Sequence, residues 1–322
     1  MHIAGAAACA LVLTCPLRAQ TATPLIGFLS GRSAGESADL AKAFHRGLAE
    51  TGLLDGKNAT VEYRWADGRY DQLAKLAGEL VARRVAVIVA VGGGASGLAA
   101  KSVTGTIPIV FASGGDVVKL GLVPSLNRPG GNATGVNLIF GALGAKRLEL
   151  LHELVPAAQQ VGMLSNPDYP SAAIEVHDVK AGGSKLGLRI TVAEARSVDD
   201  FEAAFAAFVG QQVEGLLVAD DPFLQSQRQQ LTRLAARHNI PTIYFSRDFV
   251  DAGGLMSYGP NLADAYRLVG VYAGRIVKGE KPADLPVLQP AKFELVINVR
   301  TAKALGLKIP LSLQTAAEDM IE

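Results

Sequence analysis

Cysteine is the first scarcity. The 322-residue chain has two, Cys9 and Cys15, so from residue 16 onward there is no thiol nucleophile, no disulfide and no cysteine-ligated metal. Net charge is nearly absent as well. With 31 basic and 30 acidic residues, no field draws the surface to a polyanion, and nucleic acid is excluded from the expected partners. The opening apolar run, Ile3 to Leu13, is too short to cross about 30 Å of hydrocarbon as a helix. What is present is 49% hydrophobic, 19% charged and 6% aromatic, the composition of a globular chain with length for two domains.

The opening run reads as the hydrophobic core of a secretory signal, followed by a cleavage point after Leu17-Arg18-Ala19. Residues 1–19 are expected to be removed and the mature protein to be periplasmic. Arg18 is the sole charged residue lost, which leaves 30 of each sign. The alternative is lipid attachment at Cys15, for which Val12-Leu13-Thr14 is a poor leader.

From Pro24 onward, short apolar runs alternate with stretches of helical period. Leu25–Ser30, Thr60–Trp65, Val85–Val91 and Pro108–Ser113 are short and apolar or β-branched, as strands buried on both faces are. Leu40, Phe44 and Leu48 share one helical face, and so do Leu73, Leu76 and Leu80. This alternation predicts an α/β fold with a doubly wound parallel sheet.

An internal repeat carries more information. Ile26-Gly27-Phe28-Leu29-Ser30 returns 135 residues later as Val161-Gly162-Met163-Leu164-Ser165, and Ile107-Pro108-Ile109-Val110-Phe111-Ala112-Ser113 returns after 133 as Ile240-Pro241-Thr242-Ile243-Tyr244-Phe245-Ser246. The strand ending at Val91 has its counterpart in Gly215–Ala219, about 130 residues on. Three matches in one order predict two similar lobes. Ligands of open parallel sheets bind beyond the carboxyl ends of the strands, so each lobe offers half a site. On one side stand Ser30, Arg32, Gly93, Gly94, Ala95, Ser113 and Asp116, and on the other Asn166, Asp220 and Ser246. Hydroxyls, exposed amides and a carboxylate suit a small polar ligand. Tyr244, Phe245 and Tyr258 are candidates to pack on an aromatic one. Arg32 reads either as a bidentate carboxylate partner or as a solvated loop arginine.

Competing motifs are weaker. Gly92-Gly93-Gly94-Ala95-Ser96-Gly97 spells G-x-G-x-x-G between a strand and a helix, but it follows the third strand, whereas a dinucleotide fingerprint follows the first. Its amides serve a carboxylate equally well. His45, His152, His177 and His238 lie on helical segments without metal-ligand spacing and read as solvated. Asp220 and Asp221 are adjacent and point apart, so one is expected at a ligand ammonium while the other caps the helix after Pro222. Neither a catalytic constellation nor a cofactor is expected.

Several motifs then carry a resemblance. Arg128-Pro129-Gly130-Gly131-Asn132-Ala133-Thr134-Gly135, Lys146-Arg147-Leu148-Glu149-Leu150-Leu151, Gly253-Gly254-Leu255-Met256-Ser257-Tyr258-Gly259 and Lys281-Pro282-Ala283-Asp284-Leu285-Pro286-Val287 occur in order. The chain from about Ile26 to Ile321 resembles the ABC transporter substrate-binding protein family that includes tryptophan and tyrosine uptake proteins. One departure is Gly115-Asp116-Val117-Val118, where the family more often has Asp-Pro. The resemblance implies a periplasmic-binding-protein type 1 architecture, two lobes joined by crossover strands. The expected lobes are 24–137 with 258–287, and 138–257 with 288–322, the helix Leu262–Lys278 returning to the first. It also implies a monomeric receptor for a small molecule, an amino acid or related carboxylate, that docks on the membrane permease of an ABC importer. A sensor subunit of the same fold docking on a membrane receptor, and a nucleotide-dependent enzyme, are the alternatives.

Overall fold

The computed structural model describes residues 23–290 and 292–322; the expected signal segment 1–19, with Cys15, lies outside them. The chain builds β1 (Leu25–Ser30), α1 (Ala38–Glu50), β2 (Thr60–Trp65), α2 (Leu73–Ala82), β3 (Val87–Val91), α3 (Gly94–Val103), β4 (Ile109–Ser113) and β5 (Ala133–Asn137). These strands form a five-stranded sheet ordered β2-β1-β3-β4-β5, parallel throughout. The chain then crosses over. It forms α4 (Gly144–Leu154), β6 (Gln160–Ser165), α5 (Ala172–Leu186), β7 (Arg189–Glu194), α6 (Asp200–Gly210), β8 (Gly215–Val218), α7 (Pro222–Ser226), α8 (Arg228–Arg237), β9 (Thr242–Tyr244), α9 (Arg247–Asp251) and β10 (Met256–Pro260). The repeat is real in space: β6, β8 and β9 hold the same places in the second sheet as β1, β3 and β4 in the first.

The next helix, α10 (Leu262–Val277), returns to the first lobe. Leu262, Ala265, Tyr266, Val269 and Ala273 are buried, and α10 lies against α1 so closely that a Cβ on Gly270 would stand 2.1 Å from the Phe44 carbonyl oxygen. Only a residue without a side chain fits that crossing. Leu288 then bridges Val136 of β5, and the chain crosses again into β11 (Phe293–Asn298), α11 (Val299–Ala304), α12 (Leu311–Ala316) and β12 (Asp319–Ile321). The second sheet is ordered β12-β11-β10-β9-β8-β6-β7, with β10 and β11 its antiparallel pair. Tyr258–Pro260, expected in the first lobe, pair with β11 and so sit in the second sheet; the sequence signal for α10 was clear, but nothing in it marked the strand before.

Among the described residues no helix is long and apolar enough to cross a membrane. Of the four histidines expected on solvated faces, His177 is exposed and the other three are only half-exposed. His45 Nε2 lies 2.5 Å from the Tyr63 hydroxyl, His238 stacks on Phe205 at 5.9 Å, and the Nδ1 atom of His152 is buried.

Candidate functional site

The strand-end rule directs attention to the seam between the sheets. There the loops after β1, β3 and β4 of the first lobe meet those after β6 and β8 of the second. The lobes are shut on each other. Arg32, 7% exposed, donates through Nη2 to Gln225 Oε1 at 2.5 Å. Tyr70 donates its hydroxyl to Asp221 Oδ2 at 3.0 Å and accepts from the Phe223 amide at 3.2 Å. From the other side Tyr169 accepts from the Gly94 amide at 3.3 Å, and the two tyrosine rings lie 5.8 Å apart.

Glycine makes this approach possible. Gly93 adopts φ of 103°, and a Cβ there would stand 2.8 Å from Pro222 and 3.0 Å from the Tyr169 ring. At Gly114, a Cβ would stand 2.0 Å from Asp220 Oδ2. Between these loops, Arg32, Phe140, Tyr169, Asp220, Pro222 and Tyr266 line a space of about 20 Å³, room for about one water. Admission of anything larger requires the lobes to part.

Asp220 is the centre of the polar chemistry. It is 5% exposed, and Oδ2 has no hydrogen-bond partner. Burial, and after it the negative charge of Glu175, pushes its pKa well above the ordinary carboxylate range. An unpaired buried carboxylate is costly, so a cation entering this seam gains from meeting it. Asp221 plays the other part. It caps α7 by accepting from the Leu224 amide at 2.6 Å, and Asn166 Nδ2 donates to its Oδ2 at 3.1 Å. Burial raises Asp221 to about 6.

Ser30 and Ser113 are fully buried and turned inward on their own loops. Ser30 Oγ accepts from the Arg32 amide at 3.1 Å, and Ser113 Oγ donates to the Gly115 carbonyl at 3.3 Å. Ala95 lies at the start of α3 beside Gly94. Asp116 accepts from the amides of Val118 and Lys119 at 3.0 and 3.1 Å, tying the loop that departs from the family pattern. Ser246 caps α9 and accepts from Gln225 Nε2 at 3.3 Å, on a groove of about 340 Å³ beside the seam. That groove is larger, but its acids are already engaged: Asp248 accepts from Gln225 and Asp251 pairs with Arg247. Besides Ser246 on this groove and Asp116 in a separate cleft, two candidates are not brought to the seam. Tyr244 is 1% exposed and stacks on Phe249 at 4.4 Å in the second lobe's core, because strand alternation turns it away from the cleft. Tyr258, on β10, packs beside Phe293.

Sequence reasoning missed Tyr70, Tyr169 and Gln225, which follow strand ends by more than the two or three residues considered. It also missed a buried ion pair. Arg147 Nη2 donates to Glu175 Oε1 at 2.6 Å, the two side chains 0% and 1% exposed. The signal was there: Arg147 falls in the buried stripe Gly144, Leu148, Leu151 of α4, and Glu175 in the stripe Ala172, Val179, Gly183 of α5. A charge at an apolar stripe position implies a buried partner.

A family model described as ABC transporter substrate binding protein matches residues 28–321. The chain is 27% identical over 267 residues to a tyrosine-binding protein of Clostridioides difficile, covering 83% of this chain and 76% of that one. Among solved structures, an ABC domain in complex with L-Trp from Streptococcus pneumonia superposes with a TM-score of 0.84 at 25% identity, over 93% of this chain and 100% of that one. The ligand-free, open structure of a substrate binding protein with adhesive properties from Clostridium difficile gives 0.65 at 24% identity, over 92% and 99%.

Proposed function

This chain belongs to the ABC transporter substrate binding protein family, and we propose that it is an exported, monomeric receptor that closes its lobes on one amino acid and presents the closed form to the permease of an importer. The observation that carries the amino-acid reading is Asp220. A buried carboxylate with an unpartnered oxygen, aimed across a closed seam at the other lobe, suits an α-ammonium group. The amides at the start of α3 and Arg32 are the donors available for the α-carboxylate. Phe140 and Pro222 supply apolar wall. The relatives named for tyrosine and bound to L-Trp support an aromatic side chain.

Nothing need happen chemically to the ligand. Closure follows from differential affinity, since a ligand touching both lobes binds the shut state better than the open one. Residues 1–19 serve as the cleaved export signal in this reading. Native mass spectrometry of protein purified without refolding tests it, and a retained aromatic amino acid at one per chain is the expected result. Retention of a nucleotide, or dimerisation on ligand addition, contradicts it.

A further inference from the structure

Glu175 has no place in direct ligand contact, yet both of its oxygens are committed. Oε1 accepts from Arg147, and Oε2 accepts from the backbone amide of Asp220 at 3.0 Å. That second bond ties helix α5 to the first residue beyond β8. It fixes where the Asp220 backbone leaves the sheet, and hence where its side chain points. The outcome of that direction is the approach of Asp220 Oδ2 to Gly114 of the opposite lobe.

We propose that Glu175 is a positioning residue for recognition of the ligand's cationic group: its hydrogen bond to the Asp220 amide aims the Asp220 carboxylate across the seam, and its own charge, paired with Arg147, lies directly behind that carboxylate. This rests on the amino-acid reading above.

The electrostatic half follows from what surrounds the pair. Glu175 is buried against Arg147 of α4, the Asp220–Asp221 turn after β8, and a cleft of about 160 Å³ carrying Asp116, Lys119 and Asp178. Arg32 and Tyr169 face Asp220 from the far side. Glu175 and Asp220 thus share one deeply buried guanidinium at Arg147, with Asp221 adjacent and a second guanidinium, at Arg32, bonded to Gln225. Burial raises the pKa of Glu175 while Arg147 pulls it down. At Asp220 the Glu175 charge is the largest influence after burial, ahead of Arg147. With the seam shut and no cation in it, burial and then the Glu175 charge favour the protonated form of Asp220. An arriving ammonium favours the charged form instead. Binding should therefore release protons, and affinity should fall as the pH drops through the Asp220 titration.

The test is a calorimetric pH series with L-tyrosine and L-tryptophan as probes, run on the wild type, Glu175→Gln and Glu175→Ala. Glutamine keeps an oxygen for the Asp220 amide but removes the charge. Its affinity at pH 7.5 should stay close to wild type, while the acid-side loss of affinity moves lower by about one pH unit. Alanine should show the same movement together with weaker binding at every pH, about tenfold for an unsatisfied buried amide. Should Glu175→Gln fail to fold because Arg147 is left unpaired, Arg147→Met with Glu175→Gln removes both charges, and the movement should be in the same direction but smaller. A midpoint unchanged in these variants overturns the proposal. Absence of binding by the wild type at every pH overturns the amino-acid reading instead.

Discussion

Tyr70 and Asp221 join the lobes through one hydroxyl: Tyr70 donates to Asp221 Oδ2 at 3.0 Å while accepting from the Phe223 amide at 3.2 Å. The bond exists only when the seam is shut, so its free energy belongs to the closed state. Tyr70→Phe keeps the ring against Tyr169 and deletes the link. A hydrogen bond to a charged group contributes about 1.5 to 3 kcal/mol; some of that returns through water in the open form. Ligand affinity should fall about tenfold, with a larger radius of gyration by small-angle scattering before ligand is added. An unchanged radius and affinity would show that this link does not hold the lobes.

Gly114 offers a sharper probe of closure. A methyl group there meets Asp220 Oδ2 at 2.0 Å, a contact across the seam rather than within a lobe. Gly114→Ala should leave thermal unfolding nearly unchanged but keep the ligand-free seam from shutting this far, giving a larger radius of gyration by small-angle scattering. Gly105→Ala, where an added Cβ meets nothing within 4 Å, is the matched control and should scatter as wild type. An unchanged radius for Gly114→Ala would mean that the ligand-free protein rests in a looser state than this one.

The cap at Asp221 makes a pH prediction. Burial raises its pKa from 3.8 to about 6, so the folded protein binds this proton more tightly than the unfolded chain. Stability from it is fully present below about pH 4 and is lost as the pH rises through about 6. Asp221→Asn removes that dependence. The unfolding temperature of the variant relative to wild type should therefore climb between about pH 4 and 6.5. A difference that is flat with pH, or that falls, would mean that the carboxylate is stabilised rather than penalised by its site.

Much of this was legible in the sequence because it is written in periodicity. The repeat of Ile26–Ser30 at Val161–Ser165 located equivalent strands, and the strand ends located Asp220 and its neighbour that caps α7. Two kinds of information were less accessible. Tyr244 sits beside a strand end, but the turn of the last strand residue decides between cleft and core, and a three-residue strand gives too little alternation to read. Arg147 and Glu175 are 28 residues apart, and each shows only that it interrupts an apolar stripe. That the two interruptions meet depends on how α4 packs on α5, which no local pattern encodes.

The central claim is that Asp220 receives an α-ammonium group in a seam closed by both lobes. Calorimetric titration of the wild type and Asp220→Ala with L-tryptophan and with its α-hydroxy analogue, which lacks the ammonium, tests it most directly. The account predicts that the wild type binds the amino acid at one per chain and the hydroxy acid at least about tenfold more weakly, and that Asp220→Ala loses about ten- to hundredfold for the amino acid, as expected for a charge-assisted hydrogen bond of about 1.5 to 3 kcal/mol, while the hydroxy acid is affected far less. Equal affinity of the wild type for both compounds, or an Asp220→Ala variant that binds L-tryptophan as tightly as wild type, would contradict it.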